Sequence, residues 1–318
     1  MNYIYVVMNM TLTKIFPFAF FLLFTLGCQE AEVGSTSTDE VPNPGEYVEK
    51  NPVLPTTYVD TTGKTYAWHK AYNQVQALKS RIRPPEGYKR LSMEKGSFAD
   101  WLQNIPLKPG KPDVLLYNGE LKGNQSAHFR VIDLDVGNRD LQQCADAVMR
   151  LRAEYLYSQD KWDQISFNFT SGDACKWEDW RKGIRPKISG NNVSFSKTAQ
   201  ASDSYKNFRA YMNKVFNYAG TASLSKEMKR RPLAEIAIGD VFIQGGFPGH
   251  AIMVMDMAEH EESGEKIFLL AQSYMPAQEM HILNNPMDGE MSPWYSGNFQ
   301  GDLDTPEWTF GAGDLKRF

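Results

Sequence analysis

Three apolar runs, "DVFIQGG", "HAIMVMDMA" and "KIFLLAQSYM", constrain the fold of this 318-residue chain more than any other feature. Each is short, dense in aliphatic residues and bounded by turn residues, the signature of buried strands. The glycine-rich turn "GGFPG" leads into the second run, and the charged turn "EHEESGE" joins the second to the third. Neighbouring strands of one sheet are therefore expected. His250 stands where the first turn hands over to the second run. A histidine there can fill the core, ligate a metal or act as a base, and the rest of the chain has to choose among these.

Upstream the pattern is helical. "TYAWHKAYNQVQALKSRI" has helical spacing at Trp68, Tyr72, Val75 and Leu78, and Pro84-Pro85 stops it. "GSFADWLQNIPL" predicts a short helix with Ser97 as N-cap and Asp100 three residues on. "DVLLYNG" and "AHFRVIDLDVG" suggest strands. "NRDLQQCADAVMRLRAEYLYSQ" is the strongest helix, with Asp140 as N-cap and an apolar stripe of Cys144, Val148, Leu151 and Tyr155; Arg150, Arg152 and Glu154 point elsewhere. "SYKNFRAYMNKVFNYAG" is a helix ended by Gly220. Helices first and a compact sheet last argue an α+β domain over 66–318, with the loop-rich stretch around 171–235 as an insertion.

The N-terminus carries a different message. Lys14, an apolar stretch from Ile15 to Leu26, then Gly27-Cys28, reads as a secretory signal over 1–27. Its apolar core falls short of the roughly 20 residues of a spanning helix. Cys28 after Gly27 is similar to the lipobox of bacterial lipoproteins, in which that thiol is acylated and becomes the first residue; Thr25 departs from the usual aliphatic position. Residues 28–65 are polar, acidic and proline-bearing, a tether. A membrane-anchored protein of the cell envelope is expected. The net charge of −4 gives no support for nucleic-acid binding. Besides Cys28, only Cys144 and Cys175 remain, too few for a disulfide framework, though they could pair in an oxidising compartment.

In chain order, a cysteine opens the longest helix (Cys144), a histidine opens an apolar strand (His250), and an amide sits in the next strand (Gln272). A helix N-terminus favours a thiolate, because its free N–H groups and dipole attract negative charge. A neighbouring imidazole takes the proton and holds an ion pair. A third polar group on the far ring nitrogen fixes the tautomer. Gln143 or Gln142, with the Cys144 backbone N–H, is the candidate oxyanion donor. Gly245, Gly246 and Gly249 would let a substrate approach the backbone ahead of His250.

These pieces resemble the papain-like amidohydrolases of the NlpC and CHAP type: "QC" at a helix start and "GDVFIQGGFPGHAIMV" at the histidine strand. The resemblance implies a papain-like core, in which the long helix carrying Cys144 packs on a small antiparallel sheet carrying His250 and Gln272. It implies cleavage of a peptide or amide bond, with peptidoglycan stem peptide as the expected partner and substrate. Covalent chemistry of this kind needs no cofactor. The chain from about Ser97 onward also resembles a family of Gram-negative lipoproteins known only as a domain of unknown function. Two departures stand against the enzyme families: a long Cys144–His250 interval, and Gln272 where an acid would stabilise imidazolium better.

Competing assignments are weighed against this one. Cys144 lies on an apolar stripe and could be core. Cys175 sits in a polar loop. His281 rivals Gln272 as third member; His69 and His128 have no partner pattern, and His260 lies in a charged turn. No metal-ligand spacing is present. Asp302, Asp304 and Glu307 are a weak carboxylate cluster, expected to be solvated. Tyr274, Trp294 and Tyr295 are candidate groove residues. A non-catalytic envelope lipoprotein on the same scaffold, binding glycan, peptide or a protein partner, is the alternative function.

Overall fold

The computed structural model describes residues 59–60, 65–69 and 71–318. The signal segment, Cys28 and most of the tether lie outside the described residues. The protein is α+β, built on an antiparallel sheet of nine strands. In chain order these are β1 (Tyr88–Arg90), β2 (His128–Val131), β3 (Lys229–Arg230), β4 (Val241–Gln244), β5 (His250–His260), β6 (Lys266–Gln272), β7 (His281–Leu283), β8 (Tyr295–Ser296) and β9 (Leu315–Arg317). The helices are α1 (Leu78–Arg81), α2 (Phe98–Gln103), α3 (Cys144–Ser158), α4 (Trp177–Arg181), α5 (Tyr205–Tyr218) and α6 (Thr221–Glu227).

The sheet runs β2-β7-β6-β5-β4-β9-β3, with β1 added to the far end of β5 and β8 to β6. The three apolar runs are its centre, β4, β5 and β6. From His250 to Ala258 every residue of β5 is buried, because both faces of that strand are covered. The small sheet expected from three runs is enlarged by short strands from remote segments. Of these, β2 lies within the expected strand "AHFRVIDLDVG"; the others are two or three residues long and too short to show a period of their own.

Asp256 sits fully buried in the middle of β5, beside a register shift. It accepts from Arg90 Nε at 2.7 Å and from Gln103 Nε2 at 2.8 Å, which ties β1 and α2 to the sheet. A buried carboxylate without such partners would be costly.

Helix α3 lies against β5 and β6. Its start differs from expectation. Tight turns, Leu141 N–H to Arg139 O and Gln143 N–H to Leu141 O, delay the helix until Cys144. Gln143 is the N-cap, and its backbone N–H donates to Asp146 Oδ2 at 3.1 Å. Asp140 instead accepts from Gln143 Nε2 and from the Ala277 amide, tying the helix entry to the loop after β6. Arg150 and Glu154 do not point to solvent. Both are buried, because the Asp135 segment and α5 cover that face; Arg150 pairs with Asp135 and Glu154, and Tyr205 Oη donates to Glu154 at 2.8 Å.

Other expectations are corrected. The helix spaced from Trp68 to Leu78 is absent apart from α1. Tyr72–Asn73 is a strand paired with Val59–Asp60, so ordered pairing reaches back into the expected tether. Tyr66, Trp68 and Tyr72 pack with Trp101 as an aromatic cluster rather than as a helical stripe. "DVLLYNG" makes only isolated bridges, Leu115 to Leu121 and Leu116 to Gln278. Gly220 is the N-cap of α6, and α5 ends at Tyr218 with Ala219 as its C-cap. The Ser97 cap is present, its Oγ accepting from Asp100 N–H at 3.1 Å. Residues 171–235 contribute α4 to α6 and the hairpin Ile184–Ser189/Asn192–Lys197, with α6 packed on β4 and α3.

Candidate active site

The register of the central strands lines up a row of polar side chains on one face. Gln244 is opposite His250, and Gln272 is opposite His281. Met253 pairs with Ala271, so His250 and Gln272 are diagonal neighbours on that face. His250 Nε2 lies 2.8 Å from Gln272 Oε1. The expected histidine–amide contact is present.

Hydrogen-bond bookkeeping fixes the protons. Gln272 Nε2 donates to Glu307 Oε2 at 2.7 Å and faces His281 Nε2 at 3.4 Å. His281 Nδ1 meets the Glu279 carbonyl at 2.9 Å, so Nδ1 carries the proton and Nε2 offers a lone pair. Burial lowers His281 to about 3, which keeps that ring neutral. The amide nitrogen of Gln272 thus faces two acceptors, and its oxygen must accept from His250 Nε2–H. That leaves His250 Nδ1 as the free base nitrogen. Glu307 is held in turn by Lys122 Nζ, itself nearly buried and bonded to the Asn124 carbonyl. His281, the expected rival of Gln272, supports it from behind. Glu307, expected to be solvated, is part of the site.

Cys144 occupies the first helical position, where a backbone N–H has no partner inside the helix. The amides of Ala145, Ala251 and Cys144 itself approach its sulfur. Ala251 follows His250 in β5, so the helix start and the histidine strand meet. Tyr274 joins them: it is near enough to Cys144 to feel a thiolate charge, and its ring centroid is 4.7 Å from that of His250. Trp308 at 5.3 Å and Phe310 at 5.9 Å complete an aromatic surround of the imidazole. Trp308 Nε1 donates to Gln244 Oε1 at 3.0 Å, which fixes that ring.

Electrostatics differ from the expected ion pair. Burial pushes the Cys144 thiol up to about 11, against the lowering by the three amides. Burial lowers His250 to about 4, and the Gln272 hydrogen bond raises it only in part. Both groups rest neutral at pH 7.

The remaining candidates separate. Gln143 Nε2 is committed to Asp140, whereas Gln142 Oε1 accepts from Arg150 at 2.6 Å and Gln142 Nε2 is buried with no partner among the described residues. Of the two amides, only that of Gln142 keeps an uncommitted nitrogen. Trp294 and Tyr295 are each 1% exposed and belong to the core, Trp294 donating to the Arg83 carbonyl and Tyr295 stacking on Phe268; they line no groove. Tyr274 is half-buried at the site. Cys144 and Cys175 are both free thiols. Cys175 is in the short strand Ala174–Lys176, buried rather than in a polar loop, and its thiol is pushed up to about 12. His128 meets the Pro112 carbonyl, His69 pairs with Asp133, and His260 packs on Tyr88.

The glycines before His250 answer to packing. A Cβ on Gly249 would fall 2.5 Å from Thr221 Oγ1 and 2.6 Å from the Gly246 carbonyl, and one on Gly245 would fall 2.7 Å from Ser225 Cβ. They let the turn press against α6. Gly249→Ala is therefore expected to shift the turn and His250 with it. A loss of roughly 2 kcal/mol, of the size overpacking causes, should appear as a lower denaturation midpoint. An unchanged midpoint would show that the turn has room.

Fold and site together define an α+β protein with a thiol at a helix start and a buried imidazole–amide–carboxylate relay on a central antiparallel sheet. Residues 78–317 match the family described as Domain of unknown function (4846), and the chain belongs to that family. No curated protein and no solved structure matches the chain.

Proposed function

We propose that the protein is a cysteine amidohydrolase on a papain-like core, acting on a peptide or amide bond. The observation that carries this is the amide network that leaves His250 Nδ1 as a lone-pair nitrogen on the strand against which the Cys144 helix packs, with the next amide, that of Ala251, approaching the thiol. In the reaction, the Cys144 proton passes to His250 Nδ1 as sulfur attacks the substrate carbonyl carbon. The carbonyl electron pair moves to oxygen, where the Cys144 N–H and Gln142 Nε2 are the donors. The C–N bond then breaks, and the His250 proton goes to the leaving nitrogen. Water, deprotonated by the same imidazole, cleaves the thioester. Because both groups rest neutral, proton transfer accompanies attack and does not precede it.

Gln272 holds the tautomer and Glu307 holds Gln272. Tyr274 and Trp308 flank the imidazole and suit a substrate with an apolar or sugar face. The N-terminal "LGC" sequence supports placement at the cell envelope through a lipid on Cys28, and with it a peptidoglycan stem peptide as substrate. The test is digestion of purified stem peptides and of intact peptidoglycan, with mass spectrometry of the products. Release of a fragment by the unaltered protein and none by Cys144→Ala is expected; equal release by both would refute the assignment.

One observation favours the alternative. A thiol pushed up to about 11 by burial suits a scaffold that binds peptide or glycan without cutting it. Stem-peptide binding at equal affinity by the unaltered protein and Cys144→Ala, with no product over days, would establish that function.

A further inference from the structure

On the α3 flank away from the thiol, a cavity of about 340 Å³ is lined by Lys95, Arg152 and Lys161, with Ser97 and Gln164 as neutral polar groups and Glu94 as the single carboxylate. Arg152 is eight residues beyond Cys144, about 12 Å along the helix axis. Its guanidinium lies over the rings of Phe98, Tyr155 and Phe318, at 5.2, 5.8 and 5.5 Å. Those rings hold the planar group in place and leave its N–H edges uncommitted. Arg90, Arg150 and Arg317 each pair with a carboxylate, yet Arg152 has neither a hydrogen bond nor an ion pair among the described residues. Lys161 also sits over Tyr155, at 5.7 Å. The Ser97 hydroxyl oxygen accepts from the Asp100 amide, so its proton is free to donate into the cavity.

We propose that this cavity binds a phosphoryl group. Three cations against one carboxylate, in a chain of net charge −4, make a local site for an anion. A pre-set guanidinium fork flanked by two ammonium groups matches a tetrahedral dianion better than a single carboxylate. The phosphoryl group is carried by a free phosphate ester or by a lipid headgroup. The site is independent of the thiol.

The test titrates the full chain with inorganic phosphate, with acetate, and with vesicles of phosphatidylglycerol or of phosphatidylcholine, at low salt. Arg152→Gln, and the doubly substituted Lys95→Gln/Lys161→Gln at exposed positions, serve as variants. Phosphate binding weakened at least tenfold in both variants is expected, with acetate binding more weakly than phosphate. Binding of phosphatidylglycerol vesicles over phosphatidylcholine, lost in the same variants, supports the headgroup as source; phosphate alone supports a free ester. Binding that the Lys95→Gln/Lys161→Gln protein retains in full, acetate bound as tightly as phosphate, or no binding of either phosphate or phosphatidylglycerol overturns the proposal.

Discussion

Replacing His250 with glutamine is expected to slow alkylation of Cys144 by iodoacetamide at pH 7 at least 100-fold, while Cys175 is unaffected. A positioned base typically contributes 10²–10⁴ to a proton transfer, and in the proposed mechanism that base is the His250 imidazole. Without it the thiol has only solvent as base, and burial holds it at about 11. Glutamine keeps the size and can still bond Gln272, so the fold should survive; the melting temperature of the variant checks this. Rates are read site by site from peptide masses, with the unaltered protein as reference. Equal Cys144 rates in the two proteins would remove His250 from any role in activating the sulfur.

Glu307→Ala should have the largest effect on stability. Lys122 is 5% exposed on its side chain and would keep its charge in the interior with only the Asn124 carbonyl as partner. Breaking one side of a buried pair costs roughly 3–5 kcal/mol, which chemical denaturation resolves easily. The same change frees Gln272, whose amide nitrogen then loses its stronger acceptor. The amide can turn over, presenting N–H to His250 Nε2 and favouring the wrong tautomer. Alkylation of Cys144 should fall at least tenfold under conditions where the variant is still folded. Glu307→Gln tests the positioning role separately. It can accept from Gln272 while losing the ion pair, so most of the alkylation rate should return even though stability does not. If rate and stability fall together in both variants, Glu307 only supports the fold.

Part of this site was readable from the residues. Two apolar runs joined by a short charged turn read as neighbouring strands, and the contact of His250 with Gln272 follows from their register. The approach of the helix start to that strand followed from the buried stripe that includes Cys144. The relay behind Gln272 was not readable, because Glu307 and Lys122 come from turn-rich segments remote in sequence, where an acid or a lysine is usually solvated. Trp308 also comes from that turn-rich tail, and nothing local in the sequence says that its ring flanks an imidazole.

Helix boundaries failed for a related reason. Asp140 is a good cap by composition, but two tight turns intervene, and the Asp146 carboxylate caps the Gln143 amide instead. A Gln followed three residues later by Asp is the signal that would have found it. Arg150 and Glu154 read as pointing away from the apolar stripe. They are buried because Asp135 and Tyr205 arrive from elsewhere in the chain, a tertiary fact that no window of sequence contains. The Trp68–Leu78 stripe had helical spacing by coincidence of an aromatic cluster closing on Trp101.

Acid sets the lower limit for any test of the thiol. The unfolded chain protonates its histidines near 6.5, whereas His250 waits until about 4 and His281 until about 3. The unfolded state therefore binds more protons in that interval. On account of these two rings, stability should fall as pH drops from about 6.5 toward 4 and stay constant above it.

The decisive measurement is the rate of Cys144 alkylation by iodoacetamide, followed from pH 5.5 to 9 in the unaltered protein. If His250 Nδ1 takes the sulfur's proton, the imidazole is already in its basic form throughout this range, and the rate should be nearly level. A rate that climbs tenfold with each pH unit would mean that the sulfur ionises alone, and would contradict a working thiol–imidazole pair.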